Sequence, residues 1–175
     1  MDITSALALI RPIPDFPKPG ILFQDISPLL ASPEGFATVI NALCEVDPQS
    51  VIVAGVEARG FILGSAMAIQ RKAGFVPIRK KGKLPYKTFS RSYGLEYGAD
   101  ELEIHIDALS SGERVLLVDD VLATGGTIDA ALHLISEAGG ICDHVVVLCE
   151  IDALEGRASL LQKYPNLVIT ALVHS

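Results

Sequence analysis

Val115-Leu116-Leu117-Val118-Asp119-Asp120-Val121-Leu122-Ala123-Thr124-Gly125-Gly126-Thr127 is the stretch on which the fold turns. An unbroken apolar run meets two carboxylates and then two glycines. An amphipathic segment follows, with Ile128, Ala131, Leu132 and Ile135 on one helical face. Strands covered on both faces read as continuous apolar runs, so the pattern predicts a buried strand over Arg114 to Val118, a turn from Asp119 to Gly126 and a helix near Thr127 to Ala138. Gly139-Gly140 stops that helix, and Val145 to Cys149 supplies the next strand. The same grammar occurs earlier: the strand Val51-Ile52-Val53-Ala54, a turn from Gly55 to Gly60, a helix near Phe61 to Lys72, Gly74, and the strand Phe75 to Arg79. Two strand-helix-strand units predict an α/β fold with an open, mostly parallel sheet flanked by helices and joined by right-handed crossovers.

Outward from these units the grammar changes. Lys80 to Asp107 carries Lys83-Leu84-Pro85, Gly94, Gly98 and many charges around short alternating runs such as Leu102-Glu103-Ile104-His105-Ile106, which predicts a protruding antiparallel excursion. Arg11 to Gly20 holds four prolines and is expected to lie extended over the surface without regular hydrogen bonding. Asn166 to Val173 reads as an edge strand. At 175 residues and 50% apolar content, with no linker or repeat, the chain is expected to form one domain, 1–175. Fourteen basic against twenty-one acidic residues give a net charge of -7, which excludes a general affinity for nucleic acid or an anionic membrane. Cys44, Cys142 and Cys149 lack paired zinc spacing and read as buried thiols of a reducing compartment. Met1 to Ile10 has no basic leader pattern, and no apolar run approaches the roughly 18 residues of a membrane span, so a cytoplasmic protein is expected.

Open α/β sheets bind ligands at the carboxyl ends of their strands, where Asp119 to Thr127 lies. The glycines let a ligand approach the backbone, the amides and the helix dipole favour an anion, and the hydroxyls of Thr124 and Thr127 add donors. Ala123, Thr124, Gly125, Gly126 and Thr127 therefore suit a phosphate monoester, and Asp119 and Asp120 suit the diol of a ribose. The competing reading is that Asp120 caps a turn and the Thr-Gly pair merely starts a helix. Arg79, Lys80, Lys81 and Lys83 form the one dense basic cluster, as contacts to a diphosphate would require, with a solvated turn as the competing reading. Arg59 stands in the corresponding turn of the first unit and can grip an anion bidentately, unless it is only a surface arginine ahead of a helix. His105, His133 and His144 show no metal or triad spacing.

The thirteen-residue run resembles the phosphoribosyl-diphosphate motif of the type I phosphoribosyltransferases. Ile13 to Phe23, Asp25-Ile26-Ser27-Pro28, Glu57-Ala58-Arg59-Gly60-Phe61, Arg79 to Pro85 and Leu95-Glu96-Tyr97-Gly98 resemble, in order and over nearly the whole chain, the adenine-using branch of that family. The resemblance implies a small N-terminal base-binding hood over residues 1–35 and an antiparallel flexible flap over 80–107. It implies a reaction in which adenine and phosphoribosyl diphosphate give AMP and diphosphate, with magnesium held mainly through substrate, in a homodimer. By the same resemblance Arg59, Arg79, Lys80 and Lys83 contact the diphosphate, with Arg59 also catalytic. Glu96 exchanges a proton with the purine, Tyr97 belongs to the flap, and Leu22, Phe23 and Gln24 line the adenine pocket. Gln24 stands where many members carry arginine. Two alternatives stay open: a different base (hypoxanthine, guanine, xanthine or orotate), and a non-catalytic sensor of phosphoribosyl diphosphate with a macromolecular partner. Net acidity and the presence of Glu96 and Arg59 weigh against the second.

Overall fold

The computed structural model describes residues 1–94 and 100–175, so Glu96 and Tyr97 lie outside the described residues. The chain divides into two compact units, Met1–Glu45 and Val46–Ser175. No helix among the described residues is long and apolar enough to cross a membrane.

The first unit holds α1 (Ile3–Leu7), β1 (Arg11–Ile13), β2 (Phe23–Asp25), α2 (Ser27–Ala31) and α3 (Pro33–Cys44). Side chains cap two of these helices: Asp2 accepts from the Ser5 amide at 2.8 Å, and Ser32 accepts from the Gly35 amide at 3.1 Å with Pro33 just inside the helix. The proline-rich stretch departs from expectation. Arg11–Ile13 pairs antiparallel with Phe23–Asp25, Pro12 opposite Gln24. A two-stranded ladder leaves each strand an edge, where the missing N–H of a proline is tolerated. An Arg11–Asp25 ion pair of 2.6 Å closes its end.

The second unit is built on β3 (Ile52–Val56), α4 (Arg59–Arg71), β4 (Gly74–Lys80), β5 (Thr88–Tyr93), β6 (Asp100–His105), β7 (Arg114–Leu122), α5 (Gly126–Glu137), β8 (Ile141–Glu150), α6 (Gly156–Lys163) and β9 (Val168–His174). Its seven-stranded sheet has the order β5-β6-β4-β3-β7-β8-β9. β4, β3, β7, β8 and β9 run parallel, β6 runs antiparallel to β4, and β5 antiparallel to β6. The mostly parallel sheet and the antiparallel excursion therefore stand as expected, with β9 at the other edge. Ile128, Ala131, Leu132 and Ile135 of α5 are buried against the sheet, as the helical period requires. Of the cysteines only Cys149 is buried; Cys44 and Cys142 are half-buried, which corrects the expectation for those two. Burial still pushes the Cys142 thiol up to about 12.

From the centre, β3 leads through α4 to β4 on one side, and β7 leads through α5 to β8 on the other. Right-handed crossovers in the two directions put α4 and α5 on opposite faces. The gap between the carboxyl ends of β3 and β7 is the switch point where such sheets bind ligands. β7 runs on to Leu122 instead of ending at Val118, so Asp119 and Asp120 stand within a strand and not in a turn. β8 supplies the reason: it pairs Asp119 with Val147, Val121 with Cys149 and Leu122 with Glu150, while pairing with β3 stops at Val118. The last residues of β7 thus have a neighbour on one side and an open flank on the other.

Candidate active site

Asp119 and Asp120 occupy that open flank, both buried. Burial raises the pKa of each. For Asp119 the charge of Asp120 adds to the rise, and the Asp120 amide, which donates to Asp119 Oδ1 at 2.9 Å, opposes it. For Asp120 the neighbouring Arg59 guanidinium is the chief opposing influence. Arg59 opens α4, and its Nε lies 2.9 Å from Asp120 Oδ2. The structure therefore brings Arg59 and the two carboxylates together at the switch point.

Ala123, Thr124 and Gly125 follow directly, and Gly125 takes φ +85°, the left-handed region that glycine enters without strain. That turn leads the chain into α5, whose first residues are Gly126 and Thr127. No side chain caps the start of this helix, so the dipole and amides there are arranged as for an anion. Val121 to Ile128 enclose a small cavity of ≈ 50 Å³, and a larger one of ≈ 440 Å³ opens beside it between Gly94, Thr124–Gly126, Asp129, Ser159, Leu160 and Lys163. Tyr93, the last residue of β5, reaches over the same turn. Its phenol, whose pKa burial raises, lies near the Thr127 side chain.

The basic cluster is held differently from its simple reading as free cations facing an anion. Arg79 donates to both Glu57 oxygens, at 3.1 and 3.3 Å, and to Lys83 O at 3.1 Å, and its guanidinium lies 5.8 Å from the centre of the Phe61 ring. The Lys80 amide donates to the same Glu57 at 3.0 Å, while the Lys80 and Lys81 ammonium groups pair with Asp100 at 3.6 Å and Glu101 at 2.7 Å. Burial works to raise the Glu57 pKa, but the hydrogen bonds from Arg79 and Lys80 outweigh it and leave the carboxyl below its usual range. Glu57 is thus the organising acid of the β3–α4 turn, a role with no local signal beyond its place two residues ahead of Arg59. Tyr93 was missed for the same reason.

Leu22, Phe23 and Gln24 belong to the first unit, on and just before β2; Phe23 meets the Phe16 ring edge-on at 5.1 Å, and Leu22 is exposed. Among the described residues, the acid and histidine side chains close enough to share an ion are Glu150, Asp152 and His174, which lie outside this cradle, and Arg157 already engages both Glu150 oxygens.

Known proteins resemble this chain in sequence and fold. Residues 27–167 match the phosphoribosyl transferase domain. The chain is 48% identical over 169 residues to an adenine phosphoribosyltransferase of Acidobacterium capsulatum, covering 95% of this chain and 91% of that one. The crystal structure of adenine phosphoribosyltransferase from Rhodothermus marinus superposes with a TM-score of 0.88 at 46% identity, over 98% and 99% of the two chains. That from Saccharomyces cerevisiae, complexed with D-2,5-dideoxy-2,5-imino-altritol 1,6-bisphosphate and adenine, gives 0.88 at 36%, over 97% and 99%. On fold, on the switch-point carboxylates with their glycine turn, and on these likenesses, the chain belongs to the phosphoribosyl transferase domain family and, within it, to the adenine phosphoribosyltransferases.

Proposed function

We propose that the chain transfers the 5-phosphoribosyl group of phosphoribosyl diphosphate to adenine, giving AMP and diphosphate, and so serves purine salvage. One observation carries the reading: a buried carboxylate pair stands at the sheet's switch point, immediately ahead of an uncapped glycine turn that opens a helix. Asp119 and Asp120 accept the ribose hydroxyls. The amides of Ala123, Thr124, Gly125, Gly126 and Thr127 receive the 5-phosphate, with the Thr124 and Thr127 hydroxyls as further donors.

Arg59, Arg79, Lys80 and Lys83 take the diphosphate, for which Arg59, Arg79 and Lys80 exchange carboxylate partners for phosphate oxygens. Residues 1–35 are the base-binding hood segment, in which Leu22, Phe23 and Gln24 contact adenine; the yeast relative crystallised with adenine supports a base site in this family. As the purine nitrogen bonds to the anomeric carbon, the carbon–oxygen bond to diphosphate breaks and the purine gives up a proton, which Glu96 accepts. The flap, 80–107, with Tyr97, excludes water from the activated sugar. Magnesium prefers hard oxygen donors and keeps several waters, so substrate hydroxyls and diphosphate would supply most of its shell, with no residue of the chain required as a direct ligand. When bound, that ion neutralises charge on the leaving diphosphate. The protein works as a homodimer in the cytoplasm.

The test is a side-by-side measurement of diphosphate release from phosphoribosyl diphosphate with adenine, hypoxanthine, guanine, xanthine and orotate. Release with adenine well above the others is expected. Equal or better turnover of hypoxanthine overturns the base assignment, because a site built for an exocyclic amino group leaves a buried partner unpaired against an oxo group, at about 1–3 kcal/mol. Binding of phosphoribosyl diphosphate without release marks the chain as a sensor.

A further inference from the structure

The turn assigned to the 5-phosphate rests on α6 with almost no space between the two backbones. A Cβ placed on Gly156 would lie 2.1 Å from the Ala123 carbonyl oxygen, 2.9 Å from the Gly125 nitrogen and 3.0 Å from Leu122 Cδ1. Reciprocally, a Cβ on Gly125 would lie 3.0 Å from the Gly156 carbonyl oxygen and 3.1 Å from Leu160 Cγ. Real Cβ atoms do not come within 3.0 Å of backbone atoms as the 2.1 and 2.9 Å distances at 156 would require, so only a glycine there lets the turn settle where it does. Gly156 is buried, and Glu155 before it takes φ +51° to swing the chain into α6.

α6 is itself pinned. Arg157 Nε donates to both oxygens of Glu150 at 3.0 and 3.1 Å, Nη2 bonds Glu150 Oε2, and Nη1 donates to the Ile169 carbonyl of β9 at 2.7 Å. The Glu150 side chain is only 6% exposed. Glu150 ends β8 directly opposite Leu122, the last residue of β7, and the Ile151 amide donates to Leu122 O at 2.9 Å. The strand end that launches the turn and the helix that supports it are therefore tied to one residue.

We propose that Gly156 and the Glu150–Arg157 pair are positioning residues for the phosphoribosyl site: they fix the height and orientation of the Ala123–Gly125 amides that receive the 5-phosphate. This rests on the assignment of that turn to the phosphate. Amides stabilise an anion without reorganisation only when something behind them holds them still. Displacing such a group by about 1 Å can cost on the order of a hundredfold. Neither partner touches substrate, so the effect is confined to ligands that carry the phosphate.

The experiment uses the full chain with Gly156→Ala, Arg157→Lys, Gly125→Val and, as a control, Ala158→Gly, which weakens the exposed face of α6 without approaching the turn. KM for both substrates, AMP affinity by calorimetry and Tm are measured for each. Gly156→Ala is expected to raise the KM of phosphoribosyl diphosphate and the Kd of AMP about tenfold or more, with adenine's KM changed less than about twofold. Arg157→Lys keeps the charge but loses the fork, and is expected to give a smaller rise in the same two constants. Should Gly156→Ala fail to fold, Arg157→Lys carries the test alone, together with the shifts of the Gly125 and Gly126 amide resonances. A folded Gly156→Ala protein, or failing that an Arg157→Lys protein, with unchanged sugar KM overturns the proposal, as does an Ala158→Gly protein with an equal rise at equal loss of Tm. Gly125→Val separates the two layers of inference. If it still binds AMP normally, the phosphate assignment fails and the proposal with it; if it abolishes binding while Gly156→Ala has no effect, the positioning proposal fails alone.

Discussion

Asp119 is a carboxyl the fold tolerates at a cost. Burial and the charge of Asp120 raise its pKa above that of an unfolded chain, so the folded protein holds its proton more tightly. The sign of the linkage follows: the destabilisation is absent below the ordinary carboxylate range, grows as pH rises through the interval up to the raised value, and is complete above it. Asp119→Asn keeps an acceptor for the Asp120 amide and removes the charge. We expect a Tm gain at neutral pH of roughly 2–4 °C for each kcal/mol relieved, vanishing in acid. The same variant should raise the KM of phosphoribosyl diphosphate about ten- to a hundredfold, as loss of a charge-assisted hydrogen bond of roughly 1.5–3 kcal/mol requires. In the wild type that KM should climb on acidification above the usual carboxylate range, and Asp120→Asn should move the climb to lower pH; an unmoved profile assigns it to another group. Glu96→Leu should lower kcat more than affinity for either substrate, measured in steady state. A pure affinity loss returns Glu96 to a part in closing the flap.

At the level of elements, contacts between strands and helices distant in sequence decided what local pattern left open. The excursion from Lys80 to Asp107 was legible from its glycines and alternation. The partners of its cations were not, because Glu57 reaches Arg79 only through the parallel pairing of β3 with β4, and Asp100 and Glu101 reach Lys80 and Lys81 only when β6 folds back. The length of β7 was misjudged for the same reason, since its extension depends on β8. Tyr93, the last residue of β5, stands near Thr127 at the start of α5. Tyr93→Phe removes only the phenol oxygen. We expect a rise of about two- to tenfold in the KM of phosphoribosyl diphosphate, the worth of one hydrogen bond of roughly 0.5–1.5 kcal/mol, with adenine's KM unaffected in the same assay.

For the whole molecule, the site's attraction for an anionic sugar is local. A chain of net charge -7 repels a diphosphate at long range, so on the proposed reading helix dipole, amides and the Arg59 region supply the attraction at contact. Much of the second unit's architecture serves that contact, since the opposite travel of the two crossovers leaves a crevice at the carboxyl ends of the paired strands β3 and β7. If the functional protein is a homodimer, sedimentation equilibrium should return about twice the 18.6 kDa of one chain. A single-chain mass for fully active protein removes the dimer. If magnesium assists, chelation should abolish diphosphate release and added magnesium should restore it.

By itself the sequence determined the alternation of strands and helices, the parallel sheet, and the glycine turn that follows the paired carboxylates, because apolar period, glycine position and paired carboxylates are properties of neighbouring residues. Tertiary structure alone decided how far β7 extends, which acids hold Arg59 and Arg79, and that Gly156 lies beneath Gly125. Those are pairings between residues far apart in the chain, and their energies exist only once the sheet has brought the partners within a few ångströms.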